Sequence, residues 1–191
     1  MKTDIILSGV GGQGILSIAT IIGDAALSEG LQIKQAEVHG MSQRGGDVQS
    51  NLRISSQAIK SDLIPLGSAD VILSLEPMEA LRYIPYLSPE GWIITSDKPF
   101  INIPAYPDEE KLKAEFAKQK HAVLIDVEGI AAANRIAKSA NVILLGGAID
   151  AIGLPYDTVA ASVRRIFAGK GEKIVEQNLL ALRLGYETKK Q

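Results

Sequence analysis

The sequence contains no cysteine. That excludes a disulfide framework, a thiolate nucleophile, a thiolate zinc site and any iron–sulfur cluster ligated by cysteines of this chain. It also fits a reducing compartment. With two histidines, a His-rich metal centre is not expected. Charge of one sign is lacking too: 20 Lys and Arg against 22 Asp and Glu leave a net −2, no field for nucleic acid or an anionic membrane. No run of 18 apolar residues occurs, so no membrane span is expected. The start Met1-Lys2-Thr3-Asp4 leads straight into an apolar run, without the charged region and cleavage site of a secretory signal. These absences together imply a cytoplasmic protein without nucleic-acid or membrane partners.

What is present is an ordinary globular balance, 46% hydrophobic and 22% charged over 191 residues. Such a chain buries roughly 70% of the surface its unfolded form exposes. The apolar run Asp4–Ser8 stops at glycine, as a buried parallel strand does. Ile15, Ile18, Ala19, Ile22, Ala25 and Ala26 then recur at helical spacing, and Gly30 stands where a left-handed residue ends a helix. Ile33–Val38 reads as a second strand, completing a βαβ unit.

Beyond it, strands are expected at Val48–Ile54, Val71–Leu75, Trp92–Thr95 and Ala122–Val127, with Ala58–Ile64 ambiguous. Pro77 opens a short helix running to Leu87 and interrupted near Pro85; Ser88-Pro89-Glu90-Gly91 reads as a turn. Pro99, Pro104 and Pro107 punctuate an extended connection. Helices are expected at Asp108–Lys120 and Glu128–Ser139, and over Asn141–Gly153 as a buried helix capped by Asn141, a strand being its rival. Two final helical stripes end at Gly169 and Gly185, and the tail from Glu187 is polar and frayed. The pattern is α/β: one domain over 1–191, a mostly parallel, Rossmann-like sheet flanked by helices, with the C-terminal helices packed on it.

Two segments carry function-prone chemistry. Gly9-Val10-Gly11-Gly12-Gln13-Gly14 is a G-x-G-x-x-G between a strand and a helix. Its glycines permit a tight turn and close ligand approach, and the helix's first amides offer a seat for an anion; the alternative is a turn that only packs helix on strand. A dinucleotide site would need an acidic residue near the end of the second strand, and Glu37 is close to that place. No later segment supplies a hydride-transfer pair. The second segment, His39-Gly40-Met41-Ser42-Gln43-Arg44-Gly45-Gly46-Asp47, gathers an imidazole, a hydroxyl, an amide, a guanidinium and three glycines at the carboxyl end of that strand. Arg44 suits a phosphate or carboxylate; the alternative is a solvated surface loop. Lesser features are the i, i+3 pair Glu79 and Arg82, expected on the surface, Asp126 and Glu128 at a helix start, and a solvent-facing His121.

The two segments, Gly9–Gly14 and Glu37–Gly46, with Gly67-Ser68-Ala69-Asp70, Leu75–Arg82 and Asn141–Gly146, resemble the gamma-type subunit of 2-oxoacid:ferredoxin oxidoreductases, most closely its indolepyruvate branch. The resemblance implies oxidative decarboxylation of a 2-oxo acid, an arylpyruvate in this branch, with coenzyme A to an acyl-CoA and reduced ferredoxin. It implies that thiamine diphosphate, magnesium and 4Fe–4S clusters sit in a larger partner subunit, that ferredoxin meets the complex, and that this chain binds no cofactor alone and is inactive alone. Carried onto this sequence, the site would comprise Gly9, Gly11, Gly12, Gln13, Gly14, His39, Ser42, Gln43, Arg44, Gly45 and Gly46, with no catalytic or metal-ligating residue. The backbone of Gly11–Gly14 would donate to coenzyme A phosphates or to the substrate, Arg44 would clamp, and Ser42 and Gln43 would hydrogen bond; alternatively the same edge is purely a subunit interface. Two rival readings remain at this point: a stand-alone NAD(P)- or FAD-binding oxidoreductase using Glu37, and a non-catalytic scaffolding module.

Overall fold

The computed structural model describes residues 1–39, 46–101 and 103–188. Its six strands form one sheet: β1 (Lys2–Val10), β2 (Gln32–His39), β3 (Asp47–Ser55), β4 (Ala69–Ser74), β5 (Leu87–Ser96) and β6 (Ala122–Ile125), in the order β2-β3-β1-β4-β5-β6. All but β3 point the same way. Ile5 and Leu7 of β1 enter one core and Ile6 the opposite one, all fully buried. A strand covered on both faces is why Asp4–Ser8 reads as a continuous apolar run rather than an alternating one.

The larger core lies under α1 (Ile15–Ser28), α4 (Val127–Ala133), α5 (Ala140–Ile152), α6 (Tyr156–Phe167) and α7 (Glu172–Glu187). The smaller one, with Ile6, Ile72, Ile93 and Phe116, lies under α2 (Pro77–Arg82) and α3 (Glu109–Phe116). Gly30 has φ +72 just past the end of α1, and the segment expected as a buried helix over Asn141–Gly153 is helical from Ala140 to Ile152, with Gly153 its left-handed cap.

Several expectations need correction. The βαβ unit is split: β1 and β2 are parallel, but β3 runs antiparallel between them, from Lys2 opposite Ser55 to Val10 opposite Asp47. Ser88–Gly91 is not a turn but a bulge inside β5, since Ala69 pairs with Leu87 and Val71 with Trp92. The backbones approach closely there, for a Cβ on Gly91 would stand 2.8 Å from the Ala69 carbonyl oxygen, which suits turn residues to a bulge. Ala58–Ile64 forms no strand. The helix expected over Asp108–Lys120 spans Glu109–Phe116, and that over Glu128–Ser139 breaks at Arg135, which takes φ +57. Gly169 lies in a short 3₁₀ turn after α6, and Gly171, at φ +95, makes the reversal. Gly185 sits inside α7 instead of ending it. Asn141 is not a cap; Ser139 holds that position.

Candidate functional site

At the carboxyl end of β1 the glycine turn is braced by its own glutamine. Val10 N–H donates to Gln13 Oε1 at 2.7 Å, and Gln13 Nε2 donates to the Leu75 carbonyl at 3.2 Å, tying the ends of neighbouring strands β1 and β4 together. Gly12 and Gly14 take φ +102 and +89, conformations that a side chain would strain. At Gly9 a Cβ would stand 2.8 Å from Gln13 Oε1. Asn141 Nδ2 donates to the Gly14 carbonyl at 3.1 Å, which docks the start of α5 on the turn.

The two segments singled out from the sequence do meet. Gly11 N–H donates to the Gly46 carbonyl at 2.8 Å. Of the expected anion donors, the Gly11 amide is therefore engaged within the protein, and the Gln13 side chain serves as a brace. Gly12 is exposed, with nothing within 4 Å of where a Cβ would stand. His39 ends β2 opposite Val48. Its side chain, and Gly40 to Gly45 with the candidates Ser42, Gln43, Arg44 and Gly45, lie outside the described residues.

Beside the turn is a cleft of about 300 Å³ lined by Gly12, Gln13, Leu75, Ser96, Val127, Glu128, Ala137, Lys138, Ala140 and Asn141. These residues come from the carboxyl ends of the parallel strands and from the elements that follow β6. α1 leaves β1 toward one face of the sheet, while α2 leaves the adjacent β4 toward the other. In open α/β sheets such a switch point is where ligands bind. A larger groove of about 550 Å³ runs between α6 and α7, past Tyr156, Ala160, Leu179 and Arg183. It touches neither the glycine turn nor a strand end, so position favours the smaller cleft. Among the described residues the cleft offers an ammonium (Lys138), a carboxylate (Glu128), a hydroxyl (Ser96) and backbone amides, and no imidazole on its wall. That is the chemistry of holding a polar or anionic group rather than of proton transfer.

Lys138, Ser96 and Asn141 were not singled out as site residues from the sequence. Only the connection after α4 brings Lys138 opposite the turn. The Glu37 reading fares differently. Glu37 is on β2, and β3 stands between that strand and β1. The dinucleotide clamp needs its acidic residue on the strand beside the glycine turn, so this topology disfavours it.

Beneath the same edge, at the end of β4, lies a buried pair of acids. Glu76 is 1% exposed. Its Oε2 accepts from Glu79 N–H at 2.8 Å, capping α2, and its Oε1 accepts from Phe100 N–H at 3.3 Å and from the Tyr106 hydroxyl. Glu79 is also buried and pairs with Arg82 Nε at 2.9 Å, so this is not the surface pair expected. His121 likewise is not free in solvent, since its ring stacks on Trp92 at 4.5 Å. Asp126 caps α4 by accepting from Gly129 N–H, as expected of a helix-start carboxylate.

Burial pushes the Glu76 carboxyl above its ordinary 4.5, against the pull of its hydrogen bonds. The folded protein therefore binds this proton more tightly than the unfolded chain. Its ionised form costs nothing below pH 4.5, and the cost grows as pH rises through the raised folded value. Subtracting the urea-derived stability of Glu76→Gln from that of the native chain across pH 4–8 should give a curve that falls with rising pH. A flat difference would contradict this account.

Residues 4–188 match the family model described as pyruvate ferredoxin/flavodoxin oxidoreductase. The chain belongs to that family. The indolepyruvate oxidoreductase subunit IorB of Pyrococcus horikoshii is 35% identical over 197 residues, covering 98% of this chain and 96% of that one. The ketoisovalerate oxidoreductase subunit VorA of Methanothermobacter thermautotrophicus is 28% identical, and the match covers 95% of this chain but 35% of that protein. Among solved structures, the 2-oxoglutarate:ferredoxin oxidoreductase from Magnetococcus marinus, with 2-oxoglutarate, coenzyme A and succinyl-CoA bound, superposes with a TM-score of 0.78 at 21% identity. The match covers 99% of this chain and 31% of that one. The mostly parallel α/β fold of this family member is thus the one expected from its sequence.

Proposed function

We propose that this chain is the small subunit of an indolepyruvate-type 2-oxoacid:ferredoxin oxidoreductase, inactive until joined to a larger subunit. The observation that carries the reading is the end-to-end match to an indolepyruvate oxidoreductase subunit of nearly the same length. The enzyme would convert an arylpyruvate and coenzyme A to acyl-CoA and carbon dioxide, passing electrons to ferredoxin. Iron–sulfur clusters and a carboxylate-held magnesium do not fit this chain's own donor set. It has no cysteine, and among the described residues no three His, Asp or Glu converge on one point. We place those groups, with thiamine diphosphate, in the partner. Among the described residues no helix is long and apolar enough to cross a membrane, and we place the enzyme in the cytoplasm.

The chain's own contribution is to hold an anionic part of coenzyme A in the switch-point cleft. The Gly12 and Gly14 backbone, the start of α5 and the Lys138 ammonium supply positive potential, and Arg44, the clamp expected from the sequence, adds a further cation. A charge-assisted contact is worth about 1.5–3 kcal/mol. In the assembled enzyme, Lys138→Ala should therefore raise the coenzyme A KM roughly 10- to 100-fold, and Arg44→Ala should act in the same direction, with subunit assembly intact. Unchanged coenzyme A affinity in both intact assemblies removes this role. Mixing the two purified subunits should restore turnover that neither shows alone; absence of rescue counts against the subunit reading itself.

A further inference from the structure

We propose that the Gln13 side chain is a wedge that holds the ligand cleft open, which makes it a positioning residue for coenzyme A; this deepens the proposed function and rests on it. The observation is a missing rung. β1 and β4 run parallel and are paired as far as Ser8 and Ser74, and Leu75 N–H donates to the Ser8 carbonyl at 3.1 Å. Bonds in a parallel ladder are evenly spaced, so the next one would run from Val10 N–H to the Leu75 carbonyl. Those are the two groups that the Gln13 carboxamide takes. Val10 N–H donates to its Oε1 at 2.7 Å, and its Nε2 donates to the Leu75 carbonyl at 3.2 Å. A single N–H···O bond of about 2.9 Å is replaced by two bonds end to end with an amide between them.

The insertion opens the sheet on one side only. Toward β3 the ladder runs on to Val10 opposite Asp47, and Gly11 N–H meets the Gly46 carbonyl at 2.8 Å. Toward β4 the strands part, and Gln13 and Leu75 stand on the wall of the cleft. The orientation of the carboxamide is fixed by its partners, since a backbone N–H can only donate and a carbonyl can only accept. The group is neutral, so it adds no charge that would repel an anion.

Gly9 belongs to the same arrangement. A Cβ there would stand 2.8 Å from Gln13 Oε1 and 3.1 Å from Ile15 Cδ1. Its φ is not positive, so the backbone turn does not itself demand glycine at this position. The bare Gly9 is what lets the glutamine fold back across the strand end. Removing the wedge then has two opposite effects. In Gln13→Ala, Val10 N–H and the Leu75 carbonyl are free to bond each other, so the sheet gains the rung it lacks while the crevice closes. Stability and ligand affinity therefore separate, whereas a glutamine with a merely structural role would lower both together.

The test is calorimetric titration of coenzyme A into the assembled enzyme, beside thermal unfolding of the full chain. Gln13→Ala should melt within roughly 4 °C of the native chain. It should bind coenzyme A at least about 10-fold more weakly, the scale of one lost charge-assisted contact. Gly9→Ala displaces the carboxamide while leaving the glutamine in the chain; it should weaken binding in the same way, and it carries the test should Gln13→Ala fail to fold. The double variant should bind no more weakly than Gln13→Ala, because both changes act on one contact. Native affinity in Gln13→Ala, or losses that add in the double variant, overturns the wedge alone when Lys138→Ala weakens binding. Native affinity in Lys138→Ala and Arg44→Ala alike removes the coenzyme A reading, and the wedge with it.

Discussion

Gly185→Ala is expected to lower stability by ~3 kcal/mol, and so the melting temperature by roughly 6–12 °C for a chain of this size. Helix propensity alone predicts the opposite sign. Glycine inside a helix is about 1 kcal/mol worse than alanine, so this substitution in α7 should help. The crossing of α5 and α7 reverses it. A Cβ on Gly185 would stand 1.8 Å from the Ile143 carbonyl oxygen, and one on Gly146 would stand 2.2 Å from that of Leu182. Both obstacles are backbone, which has no rotamer to change. The helices would have to separate, and α5 lies between α7 and the sheet with Val142 to Ile149 buried along its length. Gly146→Ala should behave alike. Gly169→Ala is the control: nothing lies within 4 Å of its Cβ position and its φ is not positive, so it should be neutral or stabilising by about 0.5 kcal/mol. Thermal unfolding of the three variants decides the matter. Equal melting temperatures would show that the helices can part without loss.

The same glycines show where a linear pattern stops being informative. Gly30 and Gly185 both follow a helical stripe, and from the pattern both look like stops. Only Gly30 is one; Gly185 is placed by a helix 40 residues earlier in the chain, a constraint no local window contains. β3 is a similar case. The alternation Val48, Ser50, Leu52, Ile54 marks a strand and its inner face, but alternation is blind to which strands lie on either side, so the insertion between β1 and β2 was not legible. The glycine turn was legible because its chemistry is local: a strand end, positive φ and a helix start within six residues. Its partners across the cleft were not. Lys138 and Asn141 sit in alanine-rich and apolar stretches that suggest only helix. Glu76 looks like a helix-start acid, and its three-way hold on Glu79, Phe100 and Tyr106 spans 30 residues.

Arg53→Ala should be the most damaging change remote from the cleft, costing ~3–5 kcal/mol, the range for removing one partner of a buried ion pair. Asp4, on β1, is 1% exposed. Arg53, opposite it on β3, grips both carboxylate oxygens, Nε to Oδ1 at 2.7 Å and Nη2 to Oδ2 at 2.9 Å. The same guanidinium donates to the Ser61 and Leu63 carbonyls, pinning the connection that leads into β4. Lys2 also reaches Asp4, at 2.8 Å, but its side chain is half exposed and does not replace the fork. Burial raises the Asp4 carboxyl, and the hydrogen bonds of Arg53 and then Lys2 more than reverse that, holding it below its ordinary 3.8. The pair's contribution is therefore present above pH 3.8 and lost as pH falls through the depressed folded value. Without Arg53, only Lys2 opposes the burial that raises the Asp4 carboxyl, so Asp4 protonates at a higher pH than in the native chain. The deficit of Arg53→Ala, measured by urea unfolding, should then be largest near neutrality and smaller at pH 4. A deficit that grows on acidification would contradict this account. Arg53→Met with Asp4→Asn, which removes both charges together, should recover part of the loss, because the penalty of the single variant comes from the carboxylate left behind rather than from the missing attraction. Asp4 lies six residues, or ~20 Å of strand, from Val10 and the glycine turn. Chains of either variant that remain folded should consequently bind the larger subunit normally, separating what holds the sheet together from what its far edge does.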